Sequence, residues 1–231
     1  MRESRPIEAS VFAEARSRGL DPVIARIVAG RLSDETPLDV VLDPQLQHIA
    51  PPSELTDITK AADRLQTAIR DGERIGVLTD YDADGLTSHA VITESLQRFG
   101  VSPENISHWI GHRLEDGYGI SETLVDRLLE SLPVPQVVIS ADCGSSDEVQ
   151  IVRLKDAGVD VIVTDHHRVS DRGPPASAWA VVNPNRADCR YPDKAIAGCM
   201  VSWLVMSFLR QRLIDQGVLV PPTPKLRALL D

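Results

Sequence analysis

The sequence predicts an α/β protein: a parallel β-sheet with helices on both faces, preceded by a short helical N-terminal extension. Two observations carry this reading. Short apolar runs such as VDVIVT (159–164) and PQVVIS (135–140) are continuous rather than alternating, as strands buried on both faces are. These runs alternate with helical patterns, and strands alternating with helices make a parallel sheet covered on both sides.

The elements follow in order. Two short helical patterns open the chain, Glu8 to Ser17 and Pro22 to Leu32, and Asp34 to Pro52 is rich in Pro and Asp and reads as an irregular connection. Helical periodicity resumes from Leu55 to Ile69, with Ile58, Ala61, Leu65 and Ile69 on one face. Strands are expected at Ile75–Thr79, Ile106–Ile110, Val137–Ser140, Val159–Thr164 and Ala178–Val182. Helices are expected at Leu86–Phe99, stopped by Gly100; at Ser121–Leu132, with Ser121 as N-cap; at Ser145–Ala157, ended by Gly158; and at Gly198–Gln216. Val220 to Pro224 reads as a linker, and Lys225 to Asp231 as the start of a helix. The domain reading is therefore 1–54 helical extension, 55–219 α/β domain, and 220–231 linker with the start of a following segment.

Bulk properties narrow the class. The 231 residues, 42% hydrophobic and 25% charged, suit a globular chain able to bury a sizeable core. Met1 to Ser10 is charged and has no apolar core, so a secretory signal is not expected. The longest apolar run, Ile196 to Leu209, is broken by Ser202 and Ser207 and reads as a buried helix, not a membrane span. Cys143, Cys189 and Cys199 form no C-x-x-C pair and too few bridges for a disulfide framework, which leads to the expectation of a reducing, cytoplasmic compartment. The net charge of −10 argues against a protein that coats DNA, yet a cluster of metal-binding carboxylates would contribute to the same imbalance.

Ligands of open parallel sheets bind beyond the carboxyl ends of the strands. Three strands end there in chemistry-bearing residues: one runs into Asp80-Tyr81-Asp82-Ala83-Asp84-Gly85, one into Asp142-Cys143-Gly144, one into Asp165-His166-His167. Alternate residues of an extended segment share a side, so Asp80, Asp82 and Asp84 would converge if the chain leaves the sheet extended, with Gly85 turning it into the next helix. Such a concentration of negative charge is costly without cations. Carboxylates mixed with imidazoles suit Mn²⁺ or Mg²⁺ rather than a thiolate zinc site. Two such ions on the order of 3.5–4 Å apart would activate a water and stabilise the leaving oxygen of a phosphoester. Taken singly, each group has a plainer reading: D-x-D after a strand is common, a His-His pair is often structural, and Asp142 alone suits a cap for the helix at Ser145. The metal reading rests on their convergence.

These residues carry a family resemblance. Asp165-His166-His167 is the triplet that names the DHH phosphoesterases. VLTDYDADGLTSHA resembles the first motif of the RecJ-like branch, SADCGSS its second, HRLEDGYGIS its R-x-E-x-G-Y-G segment, and VVNPNRADC and AIAGCMVSW the N-P-N and A-G-x-G-V stretches. The similarity runs from about Leu55 to Gln216. It implies a DHH domain with metal-dependent 5′→3′ exonuclease activity on single-stranded DNA, in DNA repair and recombination, with a single-strand-binding protein or a helicase as candidate partners. By the same resemblance Asp82, Asp84, Asp142 and His166 match metal ligands of a two-ion Mn²⁺ or Mg²⁺ site, with Asp142 as the bridge. His167 matches a contact to the scissile phosphate, and Asp80 and Asp165 are acidic members of the motifs. Arg113 is a candidate phosphate ligand, with an ion pair to Glu115 or Asp116 as its alternative. Gly117 and Gly119 shape its loop, and Asn183 and Asn185 would support the DHH loop.

The chain departs from the pattern in three places. Ala141 precedes Asp142 where valine is usual, and Cys199 stands where a glycine is usual. The family's fourth motif, G-T-V-A-D, which brings a further metal-binding aspartate, does not appear before Asp231, so the chain reads as cut short of it. Competing readings are another DHH phosphohydrolase (oligoribonuclease, cyclic-dinucleotide phosphodiesterase or manganese pyrophosphatase), an inactive DHH scaffold, and a fragment without activity of its own.

Overall fold

The computed structural model describes residues 5–43 and 45–230, and these divide into two compact units, Met1–Ala50 and Pro51–Asp231. The expectation for Met1 to Ser10 therefore lies partly outside the described residues.

The first unit is a small helical one. Helix α1 (Ala9–Ser17) and helix α2 (Pro22–Ala29) pack as a pair, and a short α3 (Asp39–Leu42) follows. Asp21 starts α2 by accepting the Val23 N–H at 2.8 Å, and Pro22 occupies the first helical position, where no donor is needed. Val11, Ala15, Ala25, Val28, Ala29 and Leu38 form its core. The irregular reading of Asp34 to Pro52 is thus interrupted by one α-helical turn and by a 3₁₀ turn, Leu46–His48.

The second unit contains α4 (Ile58–Asp71), β1 (Ile75–Thr79), α5 (Ala83–Arg98), β2 (Ile106–Ile110), α6 (Glu122–Glu130), β3 (Val137–Ala141), α7 (Glu148–Asp156), β4 (Asp160–Thr164), β5 (Ala180–Val182) and α8 (Gly198–Asp215). Its five strands pair in the order β2-β1-β3-β4-β5, and every pair is parallel. The apolar runs are strands because both sheet faces are covered. Leu78, Val138, Val161, Val163 and Val181 pack with Leu124, Val125 and Leu128 of α6 and Ile151 and Leu154 of α7. The alternate residues, among them Val77, Ile139 and Ile162, are fully buried on the side of α4, α5 and α8. Helix α8 reads apolar on nearly every side because it is sandwiched, with nine of its residues buried. No helix among the described residues is long and apolar enough to cross a membrane.

Strand order reverses between β1 and β3: β1 leads outward to β2 on one side, while the chain returns to β3 on the other. The crevice at such a reversal is where open parallel sheets place ligands. The register puts Thr79 beside Ile110 and Ala141, Ala141 beside Thr164, and Thr164 beside Val182. The residues immediately after these, Asp80, Gly111, Asp142, Asp165 and Asn183, therefore stand in one row across the carboxyl edge.

Two polar devices tie the scaffold together. Asp57 precedes α4 with φ +64° but does not cap it; its carboxylate instead accepts the Val181 N–H at 3.1 Å and an Arg186 N–H at 2.6 Å. Arg186, almost fully buried, also reaches Asp188 and the Val181 carbonyl. Arg186→Ala removes a buried guanidinium bonded to the partly exposed Asp57, the exposed Asp188 and the Val181 carbonyl, and is expected to destabilise the protein by about 1–3 kcal/mol, read from a denaturant midpoint. The second device is His89 on α5, whose Nδ1 meets Thr79 Oγ1 at 3.3 Å and whose Nε2 meets His108 Nδ1 of β2 at 2.9 Å. Burial, and then the neighbouring His108, push the His89 pKa down to about 4. The unfolded chain takes up this proton near pH 6.5 while the folded chain does not. Stability is therefore expected to fall between pH 6.5 and 4, by up to about 3 kcal/mol, and His89→Phe to flatten that part of a stability–pH curve.

The C-terminal segment differs from expectation. Residues 217–230 fold back along α5 and α8: Arg98 and Arg210 donate to the carbonyls of Lys225 and Pro224, Trp203 Nε1 donates to the Leu226 carbonyl at 3.0 Å, and Leu226 is buried. The proline-rich stretch is a strap held by its carbonyls, and the helix expected at Lys225 is a single 3₁₀ turn, Arg227–Leu229; Asp231 lies outside the described residues.

Candidate metal centre

The first acidic motif does not leave the sheet extended. It turns at once into α5, which begins at Ala83, and this corrects the alternation argument for Asp80, Asp82 and Asp84. Asp82 is the N-cap: its Oδ1 accepts the N–H groups of Asp84 at 2.9 Å and Gly85 at 3.0 Å. Gly85 lies inside the first turn, not at a hinge. It is required by proximity, since a Cβ there would sit 2.3 Å from the Asp80 carbonyl oxygen. The three carboxylates converge because a tight helix start folds the motif over the strand end.

Asp84 is seated by a helix 114 residues away. Its Oδ2 accepts the N–H of Gly198 and its Oδ1 the N–H of Cys199, both at 2.7 Å, at the first turn of α8. A helix N-terminus is a natural seat for a carboxylate. The same helix presses on Asp142, as a Cβ on Gly198 would lie 2.6 Å from Asp142 Oδ1.

Asp142 is the centre of the arrangement. It follows β3 with φ +62°, a left-handed conformation that costs a non-glycine residue about 1 kcal/mol or more. It does not cap α7, which begins only at Glu148 with Asp147 in the cap position. Asp142 is 1% exposed, and neither of its carboxylate oxygens has a hydrogen-bond partner. Burial, reinforced by the charges of Asp84 and Asp82, raises its pKa to about 8. Asp80, 3% exposed, also has a partnerless oxygen, and burial raises its pKa. Asp82 moves the other way, below the usual carboxylate range, because the Gly85 N–H favours its charged form.

The DHH triplet divides its labour. Asp165, buried, accepts the N–H groups of His166 at 2.7 Å and His167 at 3.0 Å and the Nδ1 of His167 at 2.9 Å on one oxygen, and the Ser145 N–H at 3.1 Å on the other. Burial opposes its charge, but these donors outweigh burial and leave its pKa low. Asp165 is thus a scaffold for the two histidines. The bond to Asp165 in turn raises the pKa of His167. His166 directs Nδ1 at the Ile196 carbonyl, 2.8 Å away, and Nε2 at Asp142 Oδ1, 3.2 Å, and Asp84 Oδ2, 3.5 Å. Asn183 donates to Ser145 Oγ and the His167 carbonyl, and Asn185 to the His166 carbonyl, so the N-P-N stretch clamps the triplet from behind.

Among the described residues, two triads bring ligand atoms within 4.8 Å of one another: Asp80, Asp82 and Asp142, and Asp142, His166 and His167. They share Asp142. Asp84 stands beside the second triad through His166. Buried carboxylate oxygens with no donor fit a cation, because a cation is what removes the cost of leaving them bare. Arg113 makes no ion pair with Glu115 or Asp116. Its guanidinium lies 5.5 Å from the Tyr81 ring, and Asp116 is taken by Arg127, Thr123 and the His112 N–H. Gly198 and Asp147 were not singled out from the sequence. The glycine directly before the apolar α8 pattern was the available signal for the first.

Comparison with known proteins identifies the family and the fold. The model for the DHH family, N-terminal domain, matches residues 74–226. The chain belongs to the DHH family. Within the DHH family, it is 36% identical over 198 residues to the single-stranded-DNA-specific exonuclease RecJ of Escherichia coli K12, covering 86% of this chain and 33% of the relative. It superposes on an exonuclease RecJ bound to manganese with a TM-score of 0.60 at 36% identity, over 69% of this chain and 38% of that one. RecJ of Thermus thermophilus in complex with Mn²⁺ gives a TM-score of 0.58 at 32% identity, over 74% and 23%. The chain thus spans about a third of the length of the curated relative from E. coli.

Proposed function

We propose that this chain is the DHH catalytic part of a RecJ-type exonuclease that hydrolyses phosphodiester bonds of single-stranded DNA from the 5′ end, using Mn²⁺ or Mg²⁺. The observation that carries the reading is the Asp142 carboxylate, buried, without donors, and shared by two ligand triads. The two triads offer carboxylates and imidazoles with no thiolate among them, which matches hard divalent cations. Bound there, a pair of such ions supplies an activated water and neutralises charge on the leaving oxygen.

The residues divide the remaining work. Asp80, Asp82 and Asp142 hold one cation, Asp142, Asp84 and His166 the other. The contact from His166 Nδ1 to the Ile196 carbonyl sets the tautomer that leaves Nε2 free to bind. His167, whose Nδ1 is committed to Asp165, presents Nε2 to the scissile phosphate. Arg113 supplies a planar guanidinium for a neighbouring phosphate, held over Tyr81 in the meantime. This activity suits a role in DNA repair and recombination in the cytoplasm, with a single-strand-binding protein or a helicase presenting the strand.

The test is cleavage of 5′- and 3′-labelled single-stranded DNA and of short RNA, with Mn²⁺, Mg²⁺ or EDTA, beside Asp142→Ala. Metal-dependent shortening of DNA from the 5′ end, lost in the variant, is expected. Cleavage confined to short RNA would replace the exonuclease reading with an oligoribonuclease. Cleavage that survives in Asp142→Ala or in EDTA would remove the metal reading altogether.

A further inference from the structure

Asp147 is a carboxylate for which neither the fold nor the metal centre accounts. It occupies the N-cap position of α7 yet makes no side-chain bond to that helix. It is half-buried, burial raises its pKa, and the influences upon it include no cation. A carboxylate in such a place is a poor source of stability. What it does is reach across to the G-Y-G segment. Its Oδ2 accepts the Ile120 N–H at 2.8 Å. Gly119, at φ +89°, runs directly against it, so that a Cβ there would sit 2.9 Å from the same oxygen. The close approach explains why a glycine stands at 119.

The residue before that contact is Tyr118. Its ring meets His167 edge-on, with centroids 5.2 Å apart, and its hydroxyl donates to the Asp142 carbonyl at 3.4 Å. Tyr118 and Asp147 also wall one cavity, together with Ser145, Ser146, His167 and Arg168. Tyr118 thus touches both the phosphate-facing histidine and the peptide of the central aspartate, and the loop that carries it is anchored through Asp147.

We infer that Asp147 is a positioning residue: it holds Tyr118 against His167 and the Asp142 peptide by gripping the Gly119–Ile120 backbone. The inference deepens the exonuclease reading and rests on it for its effect on rate, but the placement of Tyr118 is measurable without any activity. The chain has three tyrosines, so the whole 231-residue protein labelled with 3-fluorotyrosine gives a simple ¹⁹F spectrum in which Tyr118→Ala assigns one resonance. Tyr118 is already half-exposed, so its resonance is set by the edge of the His167 ring, and Asp147→Ala is expected to shift it from its wild-type position as that contact is lost. Asp147→Asn, which keeps an acceptor for the Ile120 N–H, is expected to leave it in place. Gly119→Ala, which pushes the loop off the carboxylate, is a second route to the same displacement.

On labelled single-stranded DNA with Mn²⁺, Asp147→Ala is expected to lower kcat about 10- to 100-fold, with Mn²⁺ affinity by calorimetry unchanged and rescue by asparagine. In a Tyr118→Ala background it should cost nothing more, because its effect runs through Tyr118. An unmoved Tyr118 resonance in Asp147→Ala, or losses that add in the double variant, would overturn the assignment. A wild-type protein that cleaves nothing would remove the exonuclease reading instead, and the fluorine spectra would still decide what Asp147 holds.

Discussion

Asp142→Asn is expected to abolish metal-dependent cleavage and, in EDTA, to make the protein more stable than the wild type. The first effect follows from the sharing of Asp142 between two ligand triads. A loss of about 10³-fold or more is expected, equivalent to about 4 kcal/mol of transition-state stabilisation. The second follows from proton linkage. In the unfolded chain the Asp142 carboxyl loses its proton near pH 4; in the folded, metal-free chain it keeps it to about pH 8. Between those values the unfolded state binds fewer protons, so the stability of the metal-free protein falls as pH rises, by up to about 5 kcal/mol over the interval. Asparagine has no proton to lose and removes that slope. With Mn²⁺ at a hundred times its dissociation constant the gap is expected to narrow, because binding stabilises the wild type by about 2.7 kcal/mol and the variant much less. Thermal melts at pH 6, 7 and 8, with EDTA and with Mn²⁺, read both halves. A variant less stable than wild type in EDTA at pH 8 would mean that the carboxylate has donors other than a cation.

Gly198→Ala is expected to be nearly as damaging to function while leaving the fold standing. The added Cβ would sit 2.6 Å from Asp142 Oδ1 and 3.2 Å from Asp142 Cβ, and Asp142 is fixed between the end of β3 and the α8 turn with little room to retreat. The first turn of α8 must lift instead, which breaks the two amide bonds to Asp84. One methyl group therefore disturbs two carboxylates of the centre. Overpacking of this kind typically costs about 1–3 kcal/mol of stability. Mn²⁺ affinity is expected to fall by more than about tenfold and cleavage by about 10²-fold. Calorimetric titration of Mn²⁺ into the variant is the direct measurement, and wild-type affinity would show that the α8 turn accommodates the methyl without disturbing Asp84.

How much of this was legible in the sequence depended on whether the cause was local. β1 falls on its expected residues because it is a short apolar run with an abrupt polar boundary, and β2, Ile-Ser-His-Trp-Ile, because it is bounded by Asn105 and Gly111. Ser121 caps α6 as its position suggests, accepting the Leu124 N–H at 3.1 Å. Two of the misplaced helix starts are built for the site. Helix α5 begins three residues before Leu86 because Asp82 caps a turn of Ala-Asp-Gly, a run whose Asp and Gly have little helical preference of their own. Helix α7 begins three residues after Ser145, because Ser145 is spent on Asp165 and Asn183.

In the candidate metal centre, the clustering of these residues was legible but not the geometry. Asp80, Asp82, Asp142, His166 and His167 lie close because they end neighbouring strands, which the alternation of strands and helices alone foretold. The orientation of His166 by the Ile196 carbonyl, the seating of Asp84 on α8 and the stacking of Arg113 on Tyr81 join residues far apart in the chain or turned by a loop. Periodicity and spacing carry no signal for such contacts. The proline-rich strap misled for a related reason. Its composition is that of a linker, and only the side chains of Arg98, Trp203 and Arg210 reveal that its carbonyls have somewhere to dock.

The seating of Asp84 also bears on when the protein becomes competent. A nascent chain that has left the ribosome as far as Thr164 carries all four strands that surround the centre's first carboxylates, yet it has neither the DHH histidines nor the amides that pin Asp84. Those arrive only with Gly198 and Cys199, and they bind only once α8 has nucleated and lies against the sheet. The centre therefore cannot assemble before α8 has emerged, and a chain shorter than that lacks the amides that seat Asp84. The order of residues along the polypeptide thus sets the earliest point at which Asp84 can be fixed beside Asp142.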